Sequence, residues 1–105
     1  MDPSDPTASD STALESTESI VVFWRTGCGF CSRLINKLNK LNLPMTMVNI
    51  WEDPSAAAVV RSVANGNETV PTVVVGGRSG AALVNPSKSE VLAAVATHAP
   101  HLLAK

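Results

Sequence analysis

Apolar residues change their spacing several times along this chain, and each change marks an element. Ile20-Val21-Val22-Phe23-Trp24 is an unbroken β-branched and aromatic run. Such a run predicts a strand buried on both faces, of the kind found in sheets covered by helices. From Phe30 the spacing becomes helical. Phe30, Leu34, Ile35, Leu38 and Leu41 recur on one side, with Arg33, Asn36, Lys37 and Lys40 between them, and this amphipathic helix is expected to end near Asn42, before Pro44. Met45 to Ile50 reads as a second strand with weaker alternation.

Asp53-Pro54 has the form of an N-cap followed by proline at the first helical position, and Ala56 to Ala64 extends that helix until Asn65-Gly66 stops it. Thr69 to Val75 is a third strand, Gly76-Gly77 a turn, and Ala81 to Val84 a fourth strand paired as a hairpin. Two starts compete for the last helix, Asn85-Pro86 as cap and first position, or a capping box from Ser87 to Glu90. That helix runs to about Ala99, and Pro100 ends it. The order βαβ, α, ββ, α predicts an α/β domain: a four-stranded mixed sheet with three helices packed on both faces.

Charge divides the chain further. Residues 1–18 hold five acidic residues and no Lys or Arg, giving −5, while residues 19–105 hold eight basic against four acidic residues, giving +4. The first segment has few apolar residues among its Ser, Thr, Asp and Pro, a composition that does not offset the entropy of ordering, so 1–18 is expected to be a disordered acidic tail and 19–105 one domain. The longest apolar run is six residues, against about 20 for a membrane span, and the N-terminus lacks the basic and apolar regions of a secretory signal. A cytoplasmic protein without membrane contact is expected. A charge of +4 is too mild to mark a nucleic-acid surface.

The sharpest chemical signal is Cys28-Gly29-Phe30-Cys31 between the first strand and the first helix. Helix residues three apart share a face with Cβ atoms roughly 5–6 Å apart, and a disulfide needs Cα atoms about 4.4–6.8 Å apart. Such a pair opens and closes with little backbone movement. Cys28 should sit at or just before the first turn, where unpaired N–H groups and the helix dipole favour a thiolate, and Cys31 should be more buried and less acidic. As a structural staple the pair is inefficient, since closing a four-residue loop restrains the unfolded chain by only about 2 kcal/mol. His98 and His101 are the only histidines available to complete a zinc site, and their spacing fits no usual finger. They read as surface residues.

The strand, Arg25-Thr26-Gly27-Cys28-Gly29-Phe30-Cys31, the amphipathic helix, Thr69-Val70-Pro71-Thr72 and Gly76-Gly77, in this order, resemble the glutaredoxins of the thioredoxin fold. The CGFC pair together with Asn67, TVPT and Asn85-Pro86-Ser87 is most similar to the actinobacterial mycoredoxins. The resemblance covers residues 19–100. It implies that Cys28 is the nucleophile and Cys31 the resolving cysteine of a thiol-disulfide oxidoreductase. It implies also that Pro71 is a cis-proline whose neighbour Val70 offers backbone hydrogen bonds to a bound thiol, and that Arg25, Phe30, Thr69 and Gly76 help to bind that thiol.

The reaction implied is reduction of mixed disulfides between proteins and a low-molecular-weight thiol, with mycothiol favoured and glutathione as the other donor. The expected partners are disulfide-containing proteins, the small thiol and its reductase, acting on a monomer with no permanently bound cofactor. Alternatives are an iron-sulfur cluster carrier and a thioredoxin-like reductant of protein disulfides. Many glutaredoxins follow a Gly-Gly turn with acidic residues that hold the glutathione amino group. Here Gly76-Gly77 leads to Arg78-Ser79-Gly80 and later Asn85-Pro86, which weakens the case for glutathione. Gly27 stands where some mycoredoxins carry a bulky aromatic, and Phe30 where many relatives carry Tyr. Trp24 is expected to pack in the core; Trp51, in the loop before Asp53, has no role that the sequence suggests.

Overall fold

The computed structural model describes residues 19–77 and 80–103. The expected acidic tail at 1–18 lies outside the described residues, as do Arg78 and Ser79 of the turn and the last two residues of the domain. The elements run β1 (Ile20–Trp24), α1 (Gly29–Asn39), β2 (Thr46–Asn49), α2 (Pro54–Val63), β3 (Thr72–Val75), β4 (Ala81–Val84) and α3 (Lys88–His98), closing on a 3₁₀ turn at Pro100–Leu103. The sheet order is β2-β1-β3-β4, with β1 and β2 parallel and the other two pairs antiparallel.

β1 is buried on both faces because its side chains feed two cores. Ile20 and Val22 join Leu34, Leu38, Val73, Val75, Val91 and Val95 beneath α1 and α3. Val21 and Phe23 join Val48, Ile50, Ala57, Val60 and Val74 beneath α2. Each fully buried aliphatic side chain contributes about 1.5–3 kcal/mol relative to exposure, so the strand that leads to Cys28 is the best-anchored segment of the chain. Both outer strands face solvent on their free edges, where Met47, Ala82 and Val84 are exposed.

Several boundaries shift from the sequence expectation, each for a local reason. α1 stops at Asn39 rather than Asn42, because Leu41 and Asn42 bond back to Leu38 and Asn39 in tighter i→i−3 turns, and Asn42 turns to φ 57°. α2 ends as expected at Asn65-Gly66. Both take positive φ, and the Gly66 N–H returns to the Arg61 carbonyl at 2.8 Å, the bond of a Schellman cap. β3 begins at Thr72, not Thr69, since Pro71 has no N–H for the ladder and the Thr72 hydroxyl folds back onto the Thr69 carbonyl at 2.8 Å. α3 takes Ser87 as its cap. Asn85 is at φ 50°, away from the extended backbone a cap requires, whereas Ser87 and Glu90 complete the reciprocal capping box.

Candidate active site

Cys28 is the N-cap of α1, in extended backbone at φ −86° and ψ 105°. Its sulfur accepts the Cys31 N–H at 3.2 Å, taking the place usually held by a Ser or Asp oxygen. The Cys28 N–H donates to the Arg25 carbonyl at 3.3 Å, and its own carbonyl accepts from both the Ser32 N–H and the Ser32 hydroxyl. The loop between strand and helix is therefore short and held at both ends. Gly27 permits it through its backbone, at φ 79°, where a side chain would meet no neighbour within 4 Å but would adopt a conformation that L residues avoid.

Across the sheet end lies the Val70–Pro71 bond, which is cis, with the proline ring buried. The Cys28 thiol points at the Val70 carbonyl, 3.9 Å away. The Pro71 carbonyl accepts the Asn85 N–H at 2.7 Å, which brings the start of the α3 segment to this same end of the molecule.

The two thiols are free and differ in setting. Cys28 is 8% exposed and Cys31 1%. Burial, reinforced by the side-chain hydrogen bond with Cys28, pushes the Cys31 thiol up from 9.0 to about 12, outweighing a backbone hydrogen bond from Arg25 that acts the other way. Cys31 is thus a protonated thiol at neutral pH.

Not every residue expected at the site is there. The Val70 carbonyl faces Cys28, with Thr69 and Pro71 on either side of it in the chain, but Gly76 lies elsewhere. The antiparallel register sets Val75 opposite Ile20, and the Gly76 N–H bonds to the Ser19 carbonyl, so this glycine sits level with the beginning of β1, whereas Cys28 follows its end. At about 3.3 Å per residue, the five residues of β1 separate them by roughly 16 Å. Gly76 is needed instead for packing, because a Cβ there would come within 2.9 Å of His98 Cβ. Nor is Phe30 part of the core face of α1. It is 64% exposed, with the Arg33 guanidinium 5.2 Å from its ring centre. Trp24, too, is only partly buried.

A second arginine–aromatic pair lies on the strand side of Cys28, where the Arg25 guanidinium stands 5.6 Å from the centre of the Trp51 ring. Asn49 holds this corner together. Though 9% exposed, it donates from Nδ2 to the Thr26 hydroxyl at 3.2 Å and accepts the Trp51 N–H on Oδ1 at 2.9 Å. Asn49, Trp51 and Asn85 carry no periodic signal; the pairing of β1 with β2 sets the first two against Thr26 and Arg25, and the Asn85 N–H meets the Pro71 carbonyl. His98 and His101 are exposed, and among the described residues no three His, Cys, Asp or Glu side chains group as metal ligands. No helix among the described residues is long and apolar enough to cross a membrane.

A dithiol able to close without moving its helix, set against a cis-proline at the end of a mixed sheet, is the equipment of a thiol-disulfide oxidoreductase of the thioredoxin fold, and this molecule is of that class. Comparison with known proteins narrows it. The glutaredoxin family model matches residues 20–79. A candidate glutaredoxin of Mycobacterium tuberculosis is 38% identical over 77 residues, 73% of this chain and 89% of that protein. Among solved structures, a buckwheat glutaredoxin–glutathione complex superposes with a TM-score of 0.61 at 20% identity, covering 90% of this chain and 87% of that one. A Malassezia sympodialis thioredoxin reaches a TM-score of 0.67 at 20% identity, covering 88% and 84%. The chain belongs to the glutaredoxin family.

Proposed function

We propose that this glutaredoxin reduces mixed disulfides between proteins and mycothiol, with Cys28 as nucleophile and Cys31 as an auxiliary resolving thiol. The observation that carries the assignment of roles is the Cys28 sulfur at the helix cap, bonded to the Cys31 N–H and facing the Val70 carbonyl. The cap amide donates to this sulfur and the helix N-terminus faces it, an arrangement that acts most strongly on the charged form of Cys28, the thiolate that attacks and later departs. In the first step that thiolate attacks the mycothiol sulfur of the mixed disulfide, and the protein thiolate leaves and takes a proton. A second mycothiol thiolate then attacks the mycothiol sulfur bound to Cys28, releasing Cys28 and forming mycothiol disulfide. The two electrons come from the two mycothiol molecules, and the mycothiol reductase restores them.

The raised Cys31 favours this monothiol route over a thioredoxin-like one. Burial, the largest cause of that rise, persists when Cys28 is held in a mixed disulfide and keeps low the thiolate that could attack Cys28 from within. Val70 would accept or offer backbone hydrogen bonds to the incoming disulfide, and Arg25 would meet its polar end.

Mycothiol rather than glutathione is supported by two observations. The 38% identical relative is mycobacterial. The segment beside Pro71 reads Asn85-Pro86-Ser87, without a carboxylate for a glutathione amino group, and the acid that follows, Glu90, is engaged with the Ser87 N–H at 2.9 Å. The deciding experiment compares turnover with mycothiol and its reductase against glutathione and its reductase. Faster turnover with mycothiol is expected, and equal or faster turnover with glutathione rejects the reading.

A further inference from the structure

Trp51 is a large aromatic residue held in place and left uncovered. The residue is 61% exposed, yet its neighbours Asn49 and Ile50 are 9% and 3% exposed. Its backbone is fixed by Asn49 Oδ1 at 2.9 Å, while the preceding Ile50 N–H bonds to the Trp24 carbonyl at 2.8 Å. The other end of the Asn49 amide holds Thr26, inside the loop that delivers Cys28. One face of the indole is backed by Arg25, whose own carbonyl receives the Cys28 N–H. A buried amide is thus spent on joining an exposed indole to the loop of the reactive cysteine. The cation–π contact alone, at so exposed a ring, is a small return for that arrangement.

We propose that Trp51 is a specificity-determining residue, its uncovered ring face stacking on the sugar portion of a cysteinyl-glycoside thiol while Arg25 donates to the polar groups between that sugar and the sulfur. This deepens the mycothiol reading above and rests on it. A sugar presents C–H faces that suit an indole and hydroxyls that can donate to acceptors. Glu52, exposed, directly follows Trp51, and Asp53 after it carries its charge on a carboxylate that caps α2 through the Ser55 and Ala56 N–H groups, so this side of the indole is followed by two acids. Hydroxyls meet such charge favourably, whereas the carboxylates of a tripeptide thiol are repelled by it.

The test uses one carrier protein bearing three different mixed disulfides: mycothiol, N-acetylcysteine, which is mycothiol without its sugar and inositol, and glutathione. The full-length protein is expected to prefer the mycothiol substrate over the N-acetylcysteine one. Trp51→Ala should reduce that ratio of kcat/KM about tenfold, through KM for the mycothiol substrate, and Trp51→Phe should retain most of it. An unchanged ratio in Trp51→Ala, or an equal loss on both substrates, overturns the platform while leaving mycothiol use intact. Should the unmodified protein favour the glutathione substrate, both the mycothiol reading and the platform fall. Trp51→Gln, isolated alongside with its melting temperature recorded, keeps the comparison readable if the alanine variant folds poorly.

Discussion

The starts of α1 and α3 are built alike except for the atom that caps them. Each helix follows an extended residue whose side chain accepts the N–H three positions on, from Cys31 to Cys28 Sγ at 3.2 Å and from Glu90 to Ser87 Oγ at 3.1 Å. Around Ser87 the bond is returned, with Glu90 accepting the Ser87 N–H. Around Cys28 the N–H goes to Arg25, no acid stands in the first turn, and the cap is a weak acceptor when protonated. The α3 start is optimised for holding a helix. The α1 start gives up part of that stabilisation and gains a sulfur on which the amide and the helix dipole act most strongly when it is charged. The same cap bond serves stability at one helix and chemistry at the other, and the differences are the capping atom and the acid that returns the bond.

The largest test of this contrast is Cys28→Ser. It replaces the sulfur cap by oxygen, so turnover should fall by a factor on the order of a thousand or more, while chemical denaturation shows stability unchanged or raised by up to about 1 kcal/mol. A clear loss of stability would mean that sulfur is the better cap here, and the contrast would collapse. Cys31→Ser probes the partner amide's residue without touching the cap bond. Reduction of mixed disulfides should persist, while reduction of intramolecular protein disulfides falls about tenfold or more for want of an intramolecular thiol. Retention of mixed-disulfide turnover by Cys28→Ser and its loss in Cys31→Ser would reverse the two roles.

Ser87→Ala addresses the other helix. It should cost about 1 kcal/mol in urea unfolding and leave turnover within about twofold, because this cap does no chemistry. The smallest effect is pH-dependent. Burial holds Cys31 at about 12 in the folded protein against 9.0 ordinarily, so above pH 9 the unfolded chain releases a proton that the folded one keeps. The contribution of this thiol to stability is complete below pH 9 and declines as pH rises from 9 towards 12. Urea midpoints of the reduced protein and of Cys31→Ser, measured across that range, should converge. Parallel midpoints would show that Cys31 is not protected by its surroundings.

Much of this was legible in order of residues alone. Buried strands and amphipathic helices announce themselves because packing imposes a period of two or 3.6 on the chain, and caps do so because unpaired helix amides select a few side chains. The α2 stop at Asn65-Gly66, the hairpin strand at Ala81–Val84 and the place of CGFC at the head of α1 are all of this local kind. Site residues contributed from elsewhere obey no such period. Gly76 belongs to a motif that reads like part of the site, yet strand direction carries it to the opposite end of the sheet. Trp51 reads as a loop residue and Asn85 as a candidate helix cap, and they meet Arg25 and the Pro71 carbonyl only because β2 pairs parallel to β1 and the Asn85 amide folds back onto the segment before β3. The elements, the Cys28–Cys31 pair and its unequal burial depend on neighbours about one helical turn away and so follow from the order of residues. That the Trp51 ring meets Arg25, and that Gly76 lies level with the start of β1, follow from the tertiary structure, because strand register sets distances between residues that the chain keeps far apart.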